Sequence, residues 1–107
     1  MEIKNIYKVE QFRHQNQFVL RAEDGHKIIF QSYDSIVAVV EDDLNHPYKL
    51  TLGHDWDYSQ TTLRHLYLFL DQWGNSEVRQ ALYSTNKKKA IQRLIDKGVI
   101  AYDEWLN

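Results

Sequence analysis

The first half of the chain alternates between apolar and polar residues with the period of two that is typical of half-buried β-strands. Residues 3–9 form a first predicted strand, residues 17–22 a second and residues 26–31 a third. Asp24-Gly25, between the second and the third, favours a type I′ turn, which needs positive φ at both central residues. The pattern therefore predicts a β-hairpin centred on this dipeptide.

Residues 36–40 are apolar without interruption. Continuous rather than alternating apolarity indicates a central strand covered on both faces. Asp, Asn and Pro cluster in residues 42–47, which predicts a turn, and alternation resumes in residues 48–52 as a further strand. Because the connections are too short for crossovers, we expect an antiparallel β-meander of four to five strands.

Beyond residue 58 the period of the apolar positions changes from two to about 3.6, which predicts helices. Ser59 is suited to cap the first helix, and Gly74 is expected at the C′ position that follows it. Shorter helices are predicted from near Ser76 and from near Thr85 to Gly98, and residues 99–100 either fold back on the last helix or add a short strand. Strands followed by two to three helices packed on them predict a single α+β domain over residues 1–107. The apolar face of the first helix consists of Leu63, Leu66, Tyr67, Leu70 and Trp73.

The composition is that of a folded protein, because 43% of the residues are hydrophobic and 26% are charged. A net charge of -2 argues against a nucleic-acid coat protein, which usually has a strong basic excess. The absence of cysteine excludes disulfides, thiolate-bound metals and cysteine nucleophiles, and it fits a reducing cytosol. No secretory segment or membrane-length apolar run is present, so we expect a cytoplasmic protein without membrane contact.

The segment 54–58, His-Asp-Trp-Asp-Tyr, is the densest group of residues that could carry chemistry. His54, Asp55 and Asp57, joined by His65, could ligate a hard metal ion or support acid–base catalysis. No HExxH motif or calcium-binding loop accompanies them, and acidic residues before a helix are favoured by its dipole alone. The preferred interpretation therefore assigns no catalytic residue, metal or cofactor, and it treats Trp56 and Tyr58 as core aromatics with a partner contact as the alternative.

Charge is distributed unevenly along the chain. From Tyr33 to Asp57 there are six acidic residues against one lysine, and from Ser76 to Lys97 there are six basic residues against two acidic ones. An acidic surface can dock on a basic partner, whereas cations at the start of a helix can contact phosphate, although either stretch can also be a solvated face. The candidate partner-binding residues are Glu41, Asp42, Asp43, Asp55, Trp56 and Asp57. The candidate nucleic-acid-binding residues are Lys87, Lys88, Lys89 and Arg93.

Two segments carry a family resemblance. The first is Ser-Tyr-Asp-Ser-Ile-Val-Ala at 32–38 and the second runs from Trp56 to Leu70. They resemble the SYxSxVA and YSxTTxxHLxxFL segments of small uncharacterised proteins from phages and mobile elements of Gram-positive bacteria. The resemblance implies a phage or plasmid context, in which short cysteine-free proteins are often inhibitors of host defence, anti-CRISPR proteins among them. It brings no active site.

The leading hypothesis is therefore a non-enzymatic binding protein of a phage or mobile element that occludes a host protein. The most specific form of this hypothesis has a CRISPR nuclease as the target. The acidic loops then face its nucleic-acid-binding groove, and Trp56 anchors the contact. The first alternative is a small nucleic-acid-binding or regulatory protein that uses the basic C-terminal helices. A metal-dependent hydrolase is a distant third, and the partner, the binding face and the oligomeric state are left open.

Overall fold

The computed structural model describes residues 7–13, 15–43 and 47–106. In this part of the chain six strands form one sheet in sequential order, and three helices lie between the fifth and sixth strands. Neighbouring strands are antiparallel except for the last two, which are parallel. The strands are β1 (Tyr7–Gln11), β2 (Gln17–Ala22), β3 (Lys27–Ser32), β4 (Ser35–Glu41), β5 (Lys49–Gly53) and β6 (Ala101–Asp103). The helices are α1 (Gln60–Trp73), α2 (Ser76–Ala81) and α3 (Lys87–Asp96).

The α+β class with a meander first and helices second is confirmed, but the expected four to five strands are one too few. The missing strand is β6, which three residues are too short to reveal by periodicity. Gly98 has φ +80°, and Val99 N–H donates to the Leu94 carbonyl at 2.9 Å, so the chain leaves α3 through a Schellman turn. Ile100 is then buried in the core, which brings the next residues beside β5.

The β2–β3 hairpin is confirmed, but its turn is not of type I′. Four residues separate the strands, and only Gly25 among them has positive φ, at +78°. Gly25 N–H donates to the Ala22 carbonyl at 2.9 Å, and Asp24 Oδ1 accepts from His26 N–H at 2.9 Å. The aspartate thus supports the turn through its side chain rather than through a left-handed backbone. The predicted part of the first strand before Tyr7, and residues 44–46 of the turn predicted over 42–47, lie outside the described residues.

The helices pack on one face of the sheet and form a single core cluster with it. β4 contributes Val37 and Ala38 to this cluster, two consecutive residues, because Val37 is an extra, bulged residue on β4 opposite the step from Phe30 to Gln31, where the register shifts. Val39 points to the other face, where it lies between Ile29 and Thr51 and is 5% exposed, yet it is outside the cluster. The uninterrupted apolarity of β4 therefore reflects a bulge together with burial on both faces, as predicted, although the helices lie on one face only.

Helix α1 begins as predicted, since the Ser59 side chain accepts from Thr62 N–H. Phe69 is fully buried and stacks on Phe30 with 5.6 Å between ring centroids. Gly74 follows the end of the helix as predicted, but its φ of -75° is not the left-handed conformation common at that position. A Cβ at Gly74 would collide with the Leu70 carbonyl, and close approach is the reason for glycine here.

Gln17 is a polar side chain in a fully buried position at the start of β2. Neither of its amide atoms has a hydrogen-bond partner among the described residues. Such a group lacks the hydrogen bonds that it had in water, so Gln17 lowers the stability of the native fold. No described helix has the length and apolarity required to traverse a lipid bilayer.

Candidate functional site

A cleft of about 650 Å³ opens where the β3–β4 turn meets the connection from β5 to α1. Its walls come from the same two segments that carry the SYxSxVA and YSxTTxxHLxxFL patterns. The antiparallel pairing of β3 with β4, and of β4 with β5, brings these segments to one end of the sheet. The lining residues are Ser32, Tyr33, Asp34, Ser35, Val37, Asp55, Tyr58, Ser59, Thr61 and Thr62.

Hydroxyl groups join the two walls at the base of the cleft. Ser32 Oγ at the end of β3 lies 3.0 Å from Thr62 Oγ1 in the first turn of α1, and both residues are buried. Ser59 donates to Thr62 Oγ1 at 3.1 Å, while its oxygen accepts from Thr62 N–H at 3.1 Å. The capping residue of α1 is thus connected to the sheet through Thr62. These bonds hold the helix start against the β3–β4 turn and make the cleft a fixed feature of the fold.

Tyr33 occupies a strained backbone conformation at the rim of the cleft. Its φ is +54°, a region that disfavours large side chains, and its side chain is 51% exposed. Tyr33 N–H donates to the Asn16 carbonyl at 2.7 Å, and the Tyr33 carbonyl accepts from Gln31 Nε2 at 2.7 Å. These bonds impose the conformation on a residue that would be more stable there as glycine or asparagine.

Asp55 lies at the centre of a hydrogen-bonded group on one wall. Ser35 donates to Asp55 Oδ2 at 3.1 Å, and His54 Nδ1 donates to Asp55 Oδ1 at 2.9 Å. The bonds from His54 and Ser35 hold the pKa of Asp55 below its ordinary value of 3.8. The three residue types are those of a hydrolytic triad, but the carboxylate stands between Ser35 and His54, so the His54 imidazole is not hydrogen-bonded to the serine as a general base would be. The group ties the start of β4 to the β5–α1 connection.

The lowered pKa of Asp55 predicts a pH-dependent contribution to stability. An ionised Asp55 stabilises the fold above pH 3.8, and the contribution is lost as the pH falls through the lowered native pKa. We expect Asp55→Asn to cost about 1 kcal/mol or less at pH 7, because polar contacts near the protein surface are screened by water and contribute little. Urea titrations at several pH values should show this difference shrinking below about pH 4. A difference that is unchanged or larger at low pH would contradict the assigned contacts.

The two aromatic residues of this connection have opposite environments. Trp56 is 3% exposed and belongs to the core cluster, which confirms its interpretation as a core aromatic. Its ring therefore cannot anchor a partner in this conformation, as the partner hypothesis required. Tyr58 is 79% exposed and lines the cleft, so its interpretation as a core residue is wrong. The sequence offers no signal that separates the two, because both are large aromatics beside aspartates.

The predicted acidic residues do not form one surface. Glu41 ends β4, whereas Asp55 follows β5 and is bonded to Ser35 at the beginning of β4. A seven-residue strand is about 20 Å long, so the acidic loop 41–43 lies at the opposite end of the sheet from residues 55–57. Glu41 is flanked in the sheet by two lysines, and Asp42 lines a smaller cleft that also contains Arg79. The flanking lysines are Lys27 and Lys49.

The predicted basic residues begin α3 and are partly engaged within the protein. Lys88 Nζ lies 3.5 Å from Asp57 Oδ2, and Lys87 Nζ lies 6.0 Å from the centre of the Tyr67 ring. The amide of Lys89 donates to the Asn86 side chain, which caps the helix, and Arg93 is exposed in the last turn. Acidic and basic stretches thus partly neutralise each other where Asp57 meets Lys88.

The possible metal ligands are not assembled. No group of three or more histidine, aspartate, glutamate or cysteine side chains suited to a metal ion occurs among the described residues. His54 is bonded to Asp55, and Asp57 faces Lys88. His65 is 5% exposed within α1, where its Nδ1 donates to the Thr61 carbonyl at 2.8 Å and its ring contacts Phe12. The sequence proximity of these residues therefore does not produce a common coordination sphere.

Asp55 is the only one of the ten lining residues that was predicted as a site residue, and for Tyr58 a partner contact was only the alternative interpretation. Tyr33 and Asp34 form the two-residue turn between β3 and β4, and Tyr58 precedes the cap of α1. The signal that could have indicated them is Tyr33, a bulky aromatic residue in a turn that is too tight to bury it. The strands that this turn joins place Ser32 opposite Ser35.

Comparison with known proteins gives a family for most of the chain. No curated protein and no solved structure matches the sequence. Residues 1–85 match a family of unknown function, DUF8033. The matched range contains the whole cleft and ends before the basic start of α3. Since the match covers more than half of the sequence, the chain belongs to the family of unknown function DUF8033.

Proposed function

We propose that the protein is a non-enzymatic binding protein of a phage or mobile element that inhibits a host defence protein, most specifically a CRISPR nuclease. The origin and the class of target rest on the resemblance of the two cleft-forming segments to small phage and mobile-element proteins. The binding role rests on the cleft itself. The observation that carries it is an exposed tyrosine in a strained conformation, Tyr33, in the same cleft as a second exposed tyrosine, Tyr58.

Exposed tyrosines and backbone strain both favour a contact surface. Tyrosine supplies a large, rigid ring together with a polar hydroxyl, and it is enriched among the residues that dominate protein interfaces. Strain of the kind found at Tyr33 costs about 1–3 kcal/mol and is concentrated at functional sites. A tyrosine that opposes stability and remains half exposed is better explained by a contact with another molecule than by packing within the fold.

The charges of the cleft favour a basic partner. Asp34 and Asp55 line it, and none of its lining residues is lysine or arginine. Asp55 has a lowered pKa and so remains an ionised acceptor at neutral pH. Carboxylates beside tyrosine rings suit an arginine or lysine side chain through ion pairing and cation–π contact. A nuclease groove that binds nucleic acid presents such side chains, which makes it a chemically suitable target.

A phage plaque assay tests this proposal. In a bacterium whose CRISPR nuclease targets an infecting phage, we expect expression of the protein to restore plaque formation. Tyr33→Asn should abolish the restoration while raising thermal stability, because asparagine adopts positive φ more readily than tyrosine. Tyr58→Ala should also abolish it without loss of stability, since the side chain is 79% exposed.

Tyr83→Ala is the matched control, because Tyr83 is 88% exposed and does not line the cleft. It should restore plaques as the unchanged protein does. Restoration that survives both Tyr33→Asn and Tyr58→Ala would refute the role of the cleft. No restoration against any CRISPR nuclease tested, together with no binding to a purified nuclease, would refute the proposed target.

The basic start of α3 gives weaker support to the alternative function, nucleic-acid binding, than the cleft gives to the binding of a protein. Lys88 is paired with Asp57, Lys87 lies over Tyr67, and the stretch lies outside the matched range of the family. An anisotropy titration against duplex and single-stranded DNA at two salt concentrations separates the two functions. Binding at physiological salt that is lost on neutralising Lys87, Lys88 and Lys89 would favour this alternative over the inhibitor.

A further inference from the structure

Strand β1 is an edge of the sheet and presents an unpaired side. It pairs with β2 alone among the described strands. Val9, at its centre, is 58% exposed, and Lys8 is exposed as well. An open edge of this kind offers backbone donors and acceptors to any strand of suitable length and side-chain pattern. The side chains of β1 therefore decide which strand can join it.

The hydrogen bonds to β2 define which residues of β1 face outward. Phe12 N–H donates to the Gln17 carbonyl, so Phe12 directs its backbone groups toward β2. Backbone groups alternate in direction along a strand, so Lys8 and Glu10 also point toward β2. The amides and carbonyls of Tyr7, Val9 and Gln11 consequently point to the open edge. These three residues are spaced as a second antiparallel strand requires.

We propose that the open edge of β1 binds β1 of a second copy of this chain, antiparallel, about a twofold axis through Val9. The twofold axis leaves few registers. Paired residues must lie on the same face of the joined sheet, so Lys8 can meet only Lys8 or Glu10 of the other copy, and Val9 only Tyr7, Val9 or Gln11. Registers centred on Lys8 or Glu10 place like charges opposite each other. The register centred on Val9 places each Lys8 opposite a Glu10.

Among the described residues of β1, the same register also gives the longest overlap. β1 spans Tyr7–Gln11, and its middle residue is Val9. Centring the axis there pairs all five residues, whereas the other two registers shorten the overlap. In this register the residues whose backbone groups point to the open edge pair with one another. Val9 therefore exchanges two hydrogen bonds with Val9 of the second copy, and each Tyr7 exchanges two with a Gln11. Six backbone hydrogen bonds and two opposite-charge pairs join the copies.

Edge charges normally prevent sheets from joining, and Lys8 would do so against an unrelated strand. Lys8 and Glu10 have opposite charges and are equally distant from Val9, so each lies opposite its countercharge when the partner is a second copy. The edge charges therefore favour an identical strand over an unrelated one. Glu10 retains 43% of its side-chain exposure beside Arg21, so it is accessible to a second copy. Because the contact is short, we expect a weak dimer that forms as the protein concentration rises.

The absence of cysteine from the sequence allows a direct test of the register. Val9→Cys should form a disulfide-linked dimer on mild oxidation, since residues opposite each other in a hydrogen-bonded pair are about 5.5 Å apart at Cα. Gln11→Cys should not, because its two copies lie about 13 Å apart in this register. Tyr83→Cys, at an exposed site away from β1, measures random collision. Dimers from Lys8→Cys or Glu10→Cys that exceed those of Val9→Cys would overturn the register.

Charge reversal gives a second test that needs no cysteine. Lys8→Glu should weaken dimerisation about tenfold in sedimentation measurements, because both cross-strand pairs become repulsive. Glu10→Lys should do the same, and an equimolar mixture of the two variants should dimerise again, since every pair then has opposite charges. Unchanged protein that remains monomeric up to about 1 mM, or a mixture that fails to recover, would overturn the proposal.

Discussion

Replacing Phe69 with alanine will destabilise the protein by about 3–5 kcal/mol, the cost of removing a fully enclosed aromatic ring. Phe69 has no exposed surface and lies at the junction of α1 with the sheet. Its ring stacks on Phe30 and lies 4.9 Å from the ring of Trp73. Its removal leaves a cavity that the hydrogen-bonded start of α1 prevents from closing. The free energy of unfolding from urea titration measures the effect.

Phe18→Ala is the matched control for this substitution. Phe18 lies on the sheet face away from the helices and is only half-buried, so we expect a loss of about 1–2 kcal/mol. If the two substitutions lowered the free energy of unfolding equally, the core would not lie on the face of the sheet assigned to it. If neither cost more than about half a kcal/mol, the packing of α1 on the sheet would be wrong.

Replacing Ile91 with alanine will cost about 2–5 kcal/mol and will lower the stability of the whole fold. Ile91 is fully buried in α3, and it belongs to the same core cluster as Phe30 and Leu66. A shared core means that α3 unfolds together with the sheet, although the family match ends before this helix. A single urea transition shifted to lower concentration is the expected result.

Ile95→Ala provides the comparison within the same helix. Ile95 is half-buried at the edge of the cluster, so the same chemical change should cost clearly less, about 1–2 kcal/mol. A second, separate transition in Ile91→Ala would show that α3 folds independently of the sheet. Equal losses of unfolding free energy in Ile91→Ala and Ile95→Ala would contradict the orientation of α3 on the core.

The elements with a repeating pattern were predictable from the sequence, and those that depend on a single contact were not. Ser59 and the apolar face of α1 gave the start and the inward side of that helix, because a cap and a 3.6 period are local signals. A short strand at residues 99–100 was one of two possibilities, but β6 at Ala101–Asp103 was not located, because three residues gain strand structure only by pairing with β5. Gly74 was correctly expected after α1, but the reason for glycine there, the closeness of the Leu70 carbonyl, was not predictable.

The candidate site was harder to predict because its residues are ordinary in sequence. Asp55 was identified from local charge, yet Trp56 beside it is buried and Tyr58 is exposed. Only the pairing of β3, β4 and β5 determines which of these side chains line the same cleft as Tyr33. Burial of one aromatic and exposure of another two positions later follow from the backbone path after Gly53, where Trp56 N–H donates to the Gly53 carbonyl.

The parallel pairing of β5 with β6 has a consequence for the order of folding. Within β1 to β5 paired residues are at most 15 positions apart, whereas Thr51 and Ala101 are separated by 50. Local contacts form quickly and distant ones slowly, so a growing chain completes the meander well before its last strand arrives. Until then β5, four of whose five residues are buried in the finished fold, is a temporary open edge. Chains halted before residue 101 would be the ones most exposed to aggregation through that edge.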